Sequence, residues 1–261
     1  MKGERIMKRL PILALLLTTL LLGFAHAEVT RFPGGVSTGD IGSLWQNFTV
    51  PQFTRAHTYF DDFDRYSADD WSITTTAYVS TPGSTLSDAD KGLLNTTNVN
   101  GIGGVQIHQG TAETFLFESG KELWFEARAS VVNVTSCTAV VGLCQTSSYD
   151  YIGQQVALFV KPPTTSSTLF VVRAADNTSA ASTTVATGID TVAEATAVTY
   201  GFYYNGVSTI TYYVDGVLTG SVVNTTMPTL EVAPTFGIIS DVTGSATNQL
   251  NVDYIFVAKE R

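Results

Sequence analysis

The stretch AVTYGFYYNGVSTITYYVDGVLTG, residues 197–220, carries the strongest local signal in this 261-residue chain. Runs rich in Val, Thr, Ile, Tyr and Phe are separated by Asn205-Gly206 and Asp215-Gly216. β-branched and aromatic side chains fit a pleated, half-buried surface. Asn-Gly and Asp-Gly accept the positive φ that a type I′ hairpin turn requires. The stretch reads as three antiparallel strands joined by two tight turns.

The same logic extends in both directions. In LWFEARASV (123–131), Leu123, Phe125, Ala127, Ala129 and Val131 share one face, and Trp124, Glu126, Arg128 and Ser130 share the other. The closing strand LNVDYIFVA (250–258) is expected to point Leu250, Val252, Tyr254 and Phe256 inward. Further strands are expected at 71–79, 104–108, 113–117, 138–145, 154–160, 168–173 and 234–239. Short strands with one polar face, and no amphipathic helix between them, predict two packed antiparallel sheets: an all-β sandwich or jelly roll. No Pro- or Gly-rich linker interrupts the pattern, so residues 56–261 are expected to form one β-sandwich domain. The Thr/Ser/Ala stretch 174–196 reads as a long loop or an irregular edge. Residues 28–55, with FPGGVSTGD followed by Leu44, Trp45, Phe48 and Phe53, read as an N-terminal arm with little core of its own.

Residues 1–27 have the form of a signal peptide. A basic start (Lys2, Arg5, Lys8, Arg9) leads into an apolar run from Leu10 to Phe24, and Ala25-His26-Ala27 supplies a small-x-small cleavage site. The apolar run is short of the roughly 20 residues that a membrane span needs. The expected product is secreted or held at the cell surface. Removing the segment leaves 10 basic and 22 acidic residues, a net charge of −12. That surface repels phosphate backbones and argues against nucleic acid as a partner. Cys137 and Cys144 lie on one expected strand. Seven residues at about 3.3 Å each separate them by about 23 Å, too far for a disulfide, so two buried thiols are expected.

HTYFDDFDRYSADDW (57–71) places five aspartates within fifteen residues. Phe63 should take the core side, leaving Asp62 and Asp64 facing solvent, and Asp69-Asp70 suits a turn before Trp71. Oxygen ligands from Asp62, Asp64 and Asp69, with Asp253 from the last strand, would suit a structural calcium ion. Solvated acids and turn caps are the alternative, and the commoner outcome for such a stretch. Glu122 and Glu126 share a face with Trp124 between them. At i and i+4 on a strand they are about 13 Å apart, wider than the roughly 5.5 Å or 6.5–9.5 Å that glycoside hydrolysis uses. His57 and His108 are the only histidines after residue 27, and His108 reads as a surface or edge residue. With two opposed thiols they do not complete a zinc site.

The order of LWFEAR, YNG…ITYYVDG and the terminal VDYIFVA resembles the concanavalin A-like lectin/glucanase superfamily, LamG-like modules included, over roughly 57–258. The E-x-D-x-x-E string that resembles the glucanase signature is not present. TRFPGGV (30–36), YFDDFDRY (59–66), DDW (69–71), VVGL (140–143) and VDYIFVAKER (252–261) further resemble tailed-phage structural proteins with this sandwich. That resemblance implies a non-enzymatic structural or adhesive protein without catalytic residues, of capsid-decorating or tail-associated type. It would join copies of itself or another structural protein through the arm, and would sit in a virion if phage-derived. The alternative is a secreted carbohydrate-binding module that stacks glycan on exposed Trp124 and Tyr203. A glycan hydrolase or lyase is the third reading.

Overall fold

A computed structural model describes residues 56–64, 69–75, 83–88, 93–99, 103–109, 115–132, 137–145, 155–161, 169–176, 183–191, 193, 195–223, 226–240 and 247–261. The expected signal segment 1–27 and arm 28–55 lie outside them. So do parts of the expected strands 71–79 and 113–117. The described residues all fall within the unit Ile41–Arg261.

Fifteen strands follow in order, with no helix among the described residues: β1 (Ala56–Asp61), β2 (Trp71–Thr75), β3 (Gly83–Asp88), β4 (Leu93–Val99), β5 (Gly103–Gln109), β6 (Leu123–Val132), β7 (Cys137–Cys144), β8 (Gln155–Lys161), β9 (Leu169–Asp176), β10 (Thr183–Thr191), β11 (Val198–Tyr204), β12 (Thr209–Val214), β13 (Val217–Val223), β14 (Ala233–Ser240) and β15 (Thr247–Glu260). They form two antiparallel sheets. One runs β13-β12-β11-β6-β15-β4-β3, with β1 also paired to β15, and the other runs β10-β9-β8-β7-β14-β5-β2.

Between the sheets lies a continuous apolar core. Leu123, Phe125, Ala127, Ala129 and Val131 of β6 enter it as their alternation predicts, beside Tyr200 and Phe202 of β11 and Phe159 of β8. Phe125 stacks on Phe202 at 5.1 Å between centroids. Cys137 and Cys144 are both buried at the two ends of β7, with no disulfide between them. Cys137 sits in the core and Cys144 does not, as an odd spacing on one strand requires.

Asp215-Gly216 makes the expected tight turn, with φ of 47° and 72°. Asn205-Gly206 does not. β11 ends at Tyr204 and β12 starts at Thr209, so four residues connect them. The Asn205 Oδ1 atom accepts the backbone N–H groups of Val207, Ser208 and Thr209 at 2.9–3.0 Å. The side chain thus satisfies amides that a two-residue turn would have paired across strands. Gly206 has φ +74°, and a Cβ there would meet the Lys121 backbone nitrogen at 2.8 Å.

Other expectations need correction. The strand at 113–117 reduces, among its described residues, to a single bridge between Phe115 and Val232. The 174–196 stretch contains β10, the end strand of its sheet, whose pairing with β9 slips at two places. Over the described residues 183–191 the irregular edge, one of the two expectations, is what forms. His108 is on β5, between β14 and β2, and not on an edge strand. The most consequential departure is in β15. A register shift between Val252 and Tyr254 makes Asp253 an extra residue against β6. Leu250 and Val252 enter the core, but beyond the bulge Ile255 and Val257 do so. Tyr254 and Phe256 therefore face outward, contrary to simple alternation.

Candidate functional site

The bulge in β15 places aromatic side chains on the outer face of the eight-stranded sheet. Register brings Phe60, Phe256, Glu126, Gly201 and Tyr213 into one row across β1, β15, β6, β11 and β12. The adjacent row contains Trp124 opposite Tyr203. Five strands about 4.8 Å apart make this band about 19 Å wide. Gly201 leaves a position without a side chain between Glu126 and Tyr213.

Contacts across the face fix the side chains. Trp124 and Tyr203 pack with centroids 5.6 Å apart and planes inclined by 38°. Phe60 contacts Tyr254 at 6.3 Å and Phe256 at 6.4 Å. The Tyr203 hydroxyl donates to Glu122 Oε1 at 2.7 Å, and the Tyr254 hydroxyl donates to Glu126 Oε1 at 2.7 Å. The Glu122 backbone N–H donates to Glu260 Oε2 at 3.2 Å. Burial first, then the bonded Glu122 carboxylate with Glu260 beyond it, push the Tyr203 phenol well above its ordinary range. Burial and the charge of Glu126 do the same to Tyr254. Both phenols remain neutral donors at physiological pH.

Trp124 is 3% exposed and Glu126 5%. The expectation that Trp124 offers an open stacking face is corrected: it forms the floor of the band. Tyr203, the other expected stacking residue, is half-buried, as are Phe60, Tyr254 and Phe256. The bulge brings Tyr254 and Phe256, expected inward, to this face, and Phe60 joins them through its register with Phe256. Glu122 and Glu126 engage tyrosines on β11 and β15, the strands on opposite sides of β6.

The expected calcium ligands are not brought together. Asp253 pairs with Arg128, Oδ2 to Nη1 at 2.5 Å, because the bulge turns it toward that neighbour. Asp62 Oδ1 accepts the Asp64 amide at a long 3.4 Å, Asp64 is exposed, and Asp69 is exposed in the turn before β2. Among the described residues no group of three His, Cys, Asp or Glu side chains could hold a metal ion. Asp61 is the carboxylate of that stretch with three hydrogen-bond donors around it. It accepts Trp71 Nε1–H at 2.7 Å, the Phe63 amide at 2.8 Å and the Tyr59 hydroxyl at 3.3 Å. Phe63 is fully buried, as expected, with Asp62 beside it half-buried.

No protein-family model matches the chain, and no curated protein matches it in sequence. Solved structures do match in fold. A prokaryotic β-1,3-1,4-glucanase (lichenase) derived from a mouse hindgut metagenome aligns with a TM-score of 0.56 at 13% identity, covering 78% of this chain and 98% of its own. The carbohydrate recognition domain of Emp47p aligns at 0.55 and 8% identity, covering 79% and 97%. An endo-β-1,4-glucuronan lyase from the fungus Trichoderma reesei aligns at 0.52 and 10% identity, covering 76% and 94%. The expectation that the chain is not an enzyme is overturned, since the fold it adopts also serves a glycan hydrolase and a glycan lyase. The missing E-x-D-x-x-E string tests for one kind of active site only. At these identities the likeness establishes architecture alone: the chain has the concanavalin A-like sandwich fold.

Proposed function

We propose that this protein binds carbohydrate on the outer face of its eight-stranded sheet. The observation that carries the reading is the band formed by Tyr203, Trp124, Tyr254, Phe256 and Phe60 beside Glu122, Glu126 and Arg128. Sugar rings present C–H groups that pack on the negative faces of aromatic rings. Their hydroxyls are met by carboxylate acceptors and by tyrosine and guanidinium donors. The resemblance of the fold to the Emp47p carbohydrate recognition domain supports the same reading. Glu122, Glu126, Asp253 and Glu260 outweigh Arg128 on and around this face, and the whole chain carries −9. Neutral glycans are therefore favoured over uronate polymers.

A second reading, a glycan hydrolase or lyase on the same face, is supported by Glu126, a buried carboxylate bonded to a phenol. Sedimentation of the protein with insoluble neutral and acidic polysaccharides, together with assay of the supernatant for released sugars, separates the readings. Retention without release supports a binding module, and retention with release supports the enzyme. Neither retention nor release on any glycan would remove the carbohydrate proposal.

A further inference from the structure

Three outward-facing residues of the eight-stranded sheet are buried without belonging to the core. Ala56, Ala258 and Trp124 are 2%, 0% and 3% exposed, yet none is part of the apolar cluster between the sheets. Register fixes the side they take. Ala56 opposite Glu260, and Ala258 opposite Trp124 in the next row, share the face of Phe60 and Phe256. The second sheet packs on the other side of these strands, and among the described residues no strand crosses the face above them. The chain itself supplies a cover. The compact unit that holds the sandwich begins at Ile41, fifteen residues before β1. Residues 41–55, IGSLWQNFTVPQFTR, carry Leu44, Trp45, Phe48 and Phe53 and no acidic side chain, in a chain with 23 acids. They can therefore approach the Glu122 and Glu260 carboxylates at this end of the sheet without like-charge repulsion. The segment is tethered at Ala56, on the buried face itself. Its last twelve residues span about 40 Å when extended, against about 14 Å from β1 across β15 and β6 to β11. Pro51 suits the reversal that would lead the chain back over the sheet.

We infer that residues 44–53 pack on the outer face of their own sheet, over Ala56, Ala258 and Trp124, and do not dock on a second molecule. Large apolar side chains on a segment with no core of its own need such a surface. The covalent tether holds the segment beside this face at high effective concentration, an advantage that a site on another molecule lacks. Tyr203, Tyr254, Phe256 and Phe60 stay half-exposed. The segment therefore walls off one end of the aromatic band and leaves the rest open. If that band binds glycan as proposed above, the wall limits where the sugar chain can run; the packing of the segment does not depend on that reading.

Hydroxyl-radical footprinting of the full chain, read on Trp124 by mass spectrometry, tests the inference without any glycan. Trp71, in the core between the sheets, reports on folding in the same sample. In wild type both indoles are expected to be protected. Protection of Trp124 should hold through about a hundredfold dilution, as an intrachain contact requires. Phe48→Asp with Phe53→Asp sets like charge against Glu122 and Glu260, and should raise Trp124 oxidation severalfold while Trp71 stays unchanged. Should that pair open both indoles, Trp45→Ser is the milder change, and it must expose Trp124 alone. Protection of Trp124 that survives every variant would mean that side chains of the sheet itself bury it, and overturns the inference. So does protection lost on dilution, which would assign the cover to a second copy, or exposure of Trp124 only together with Trp71.

Discussion

Replacing Asp61 by Ala tests how the first strand is locked to the sandwich. The Asp61 carboxylate accepts the indole N–H of Trp71 at 2.7 Å and the amide of Phe63 at 2.8 Å, with the Tyr59 hydroxyl at 3.3 Å. Trp71 is 1% exposed and packs against Phe63 and Phe236 with centroids 5.4 and 5.2 Å away. Its N–H has no bulk water beside it. Each buried donor left without an acceptor costs about 1–3 kcal/mol. Two donors lost near the sheet margin, where a water can partly replace the carboxylate, give a loss of about 3 kcal/mol. With a urea m-value of about 2–3 kcal/mol/M, the midpoint should fall by about 1 M. Asp62→Ala is the matched control, because Asp62 makes only the 3.4 Å contact to the Asp64 amide. It should stay within about 0.5 kcal/mol of wild type. Should the two variants unfold at the same urea concentration, the view of Asp61 as a buried-donor acceptor is wrong.

Gly206→Ala combines a φ of +74° with a Cβ placed 2.8 Å from the Lys121 nitrogen, and should cost about 1–3 kcal/mol in thermal or urea melts. A neutral outcome would mean that the 205–208 loop is not pressed on residues 120–121. Tyr200, Tyr203 and Tyr254 all have raised pKa values, by burial first and then by Asp190, Glu122 and Glu126 in turn. Their neutral forms are favoured by folding, so that stability is fully present below about pH 10 and is lost as pH climbs toward the folded values. Ultraviolet titration at about pH 11 should find them protonated in the native protein and ionised in urea; full ionisation in both states would contradict the burial. After denaturation without reductant, thiol titration should find two thiols per chain, since Cys137 and Cys144 occupy opposite ends of one strand. A disulfide-linked peptide pair would break that strand.

Much of the architecture is legible from alternation because one face of each central strand is core. β6 folds as read, and the β11–β13 run gives its three strands and the Asp215-Gly216 turn, but a four-residue connection replaces the two-residue turn read at Asn205-Gly206. β3 and β4 were missed for a physical reason. GSTLSD and LLNTTNV are rich in Gly, Ser, Asp and Asn, which strands disfavour, and their pairing is set by β15 and by each other. The aromatic band was illegible as a unit. A bulge has no reliable sequence mark, and the one at Asp253 reverses which side Tyr254 and Phe256 occupy. Only then do they join Trp124, whose face follows from alternation, and Tyr203 opposite it. The role of Asp61 depends on Trp71, ten residues away, which no local pattern among the neighbouring aspartates displays.

Calorimetric titration is the direct test of whether glycan binds to the outer face of the eight-stranded sheet. A soluble oligosaccharide of whichever neutral polysaccharide retains the protein is titrated into wild type, Tyr203→Ala and Tyr203→Ala/Phe256→Ala. Saturable binding by wild type is expected, weakened about tenfold by the first change through loss of one stacking ring and abolished by the second, with the fold intact by circular dichroism. Binding of equal affinity in all three proteins would place the glycan elsewhere and contradict the account.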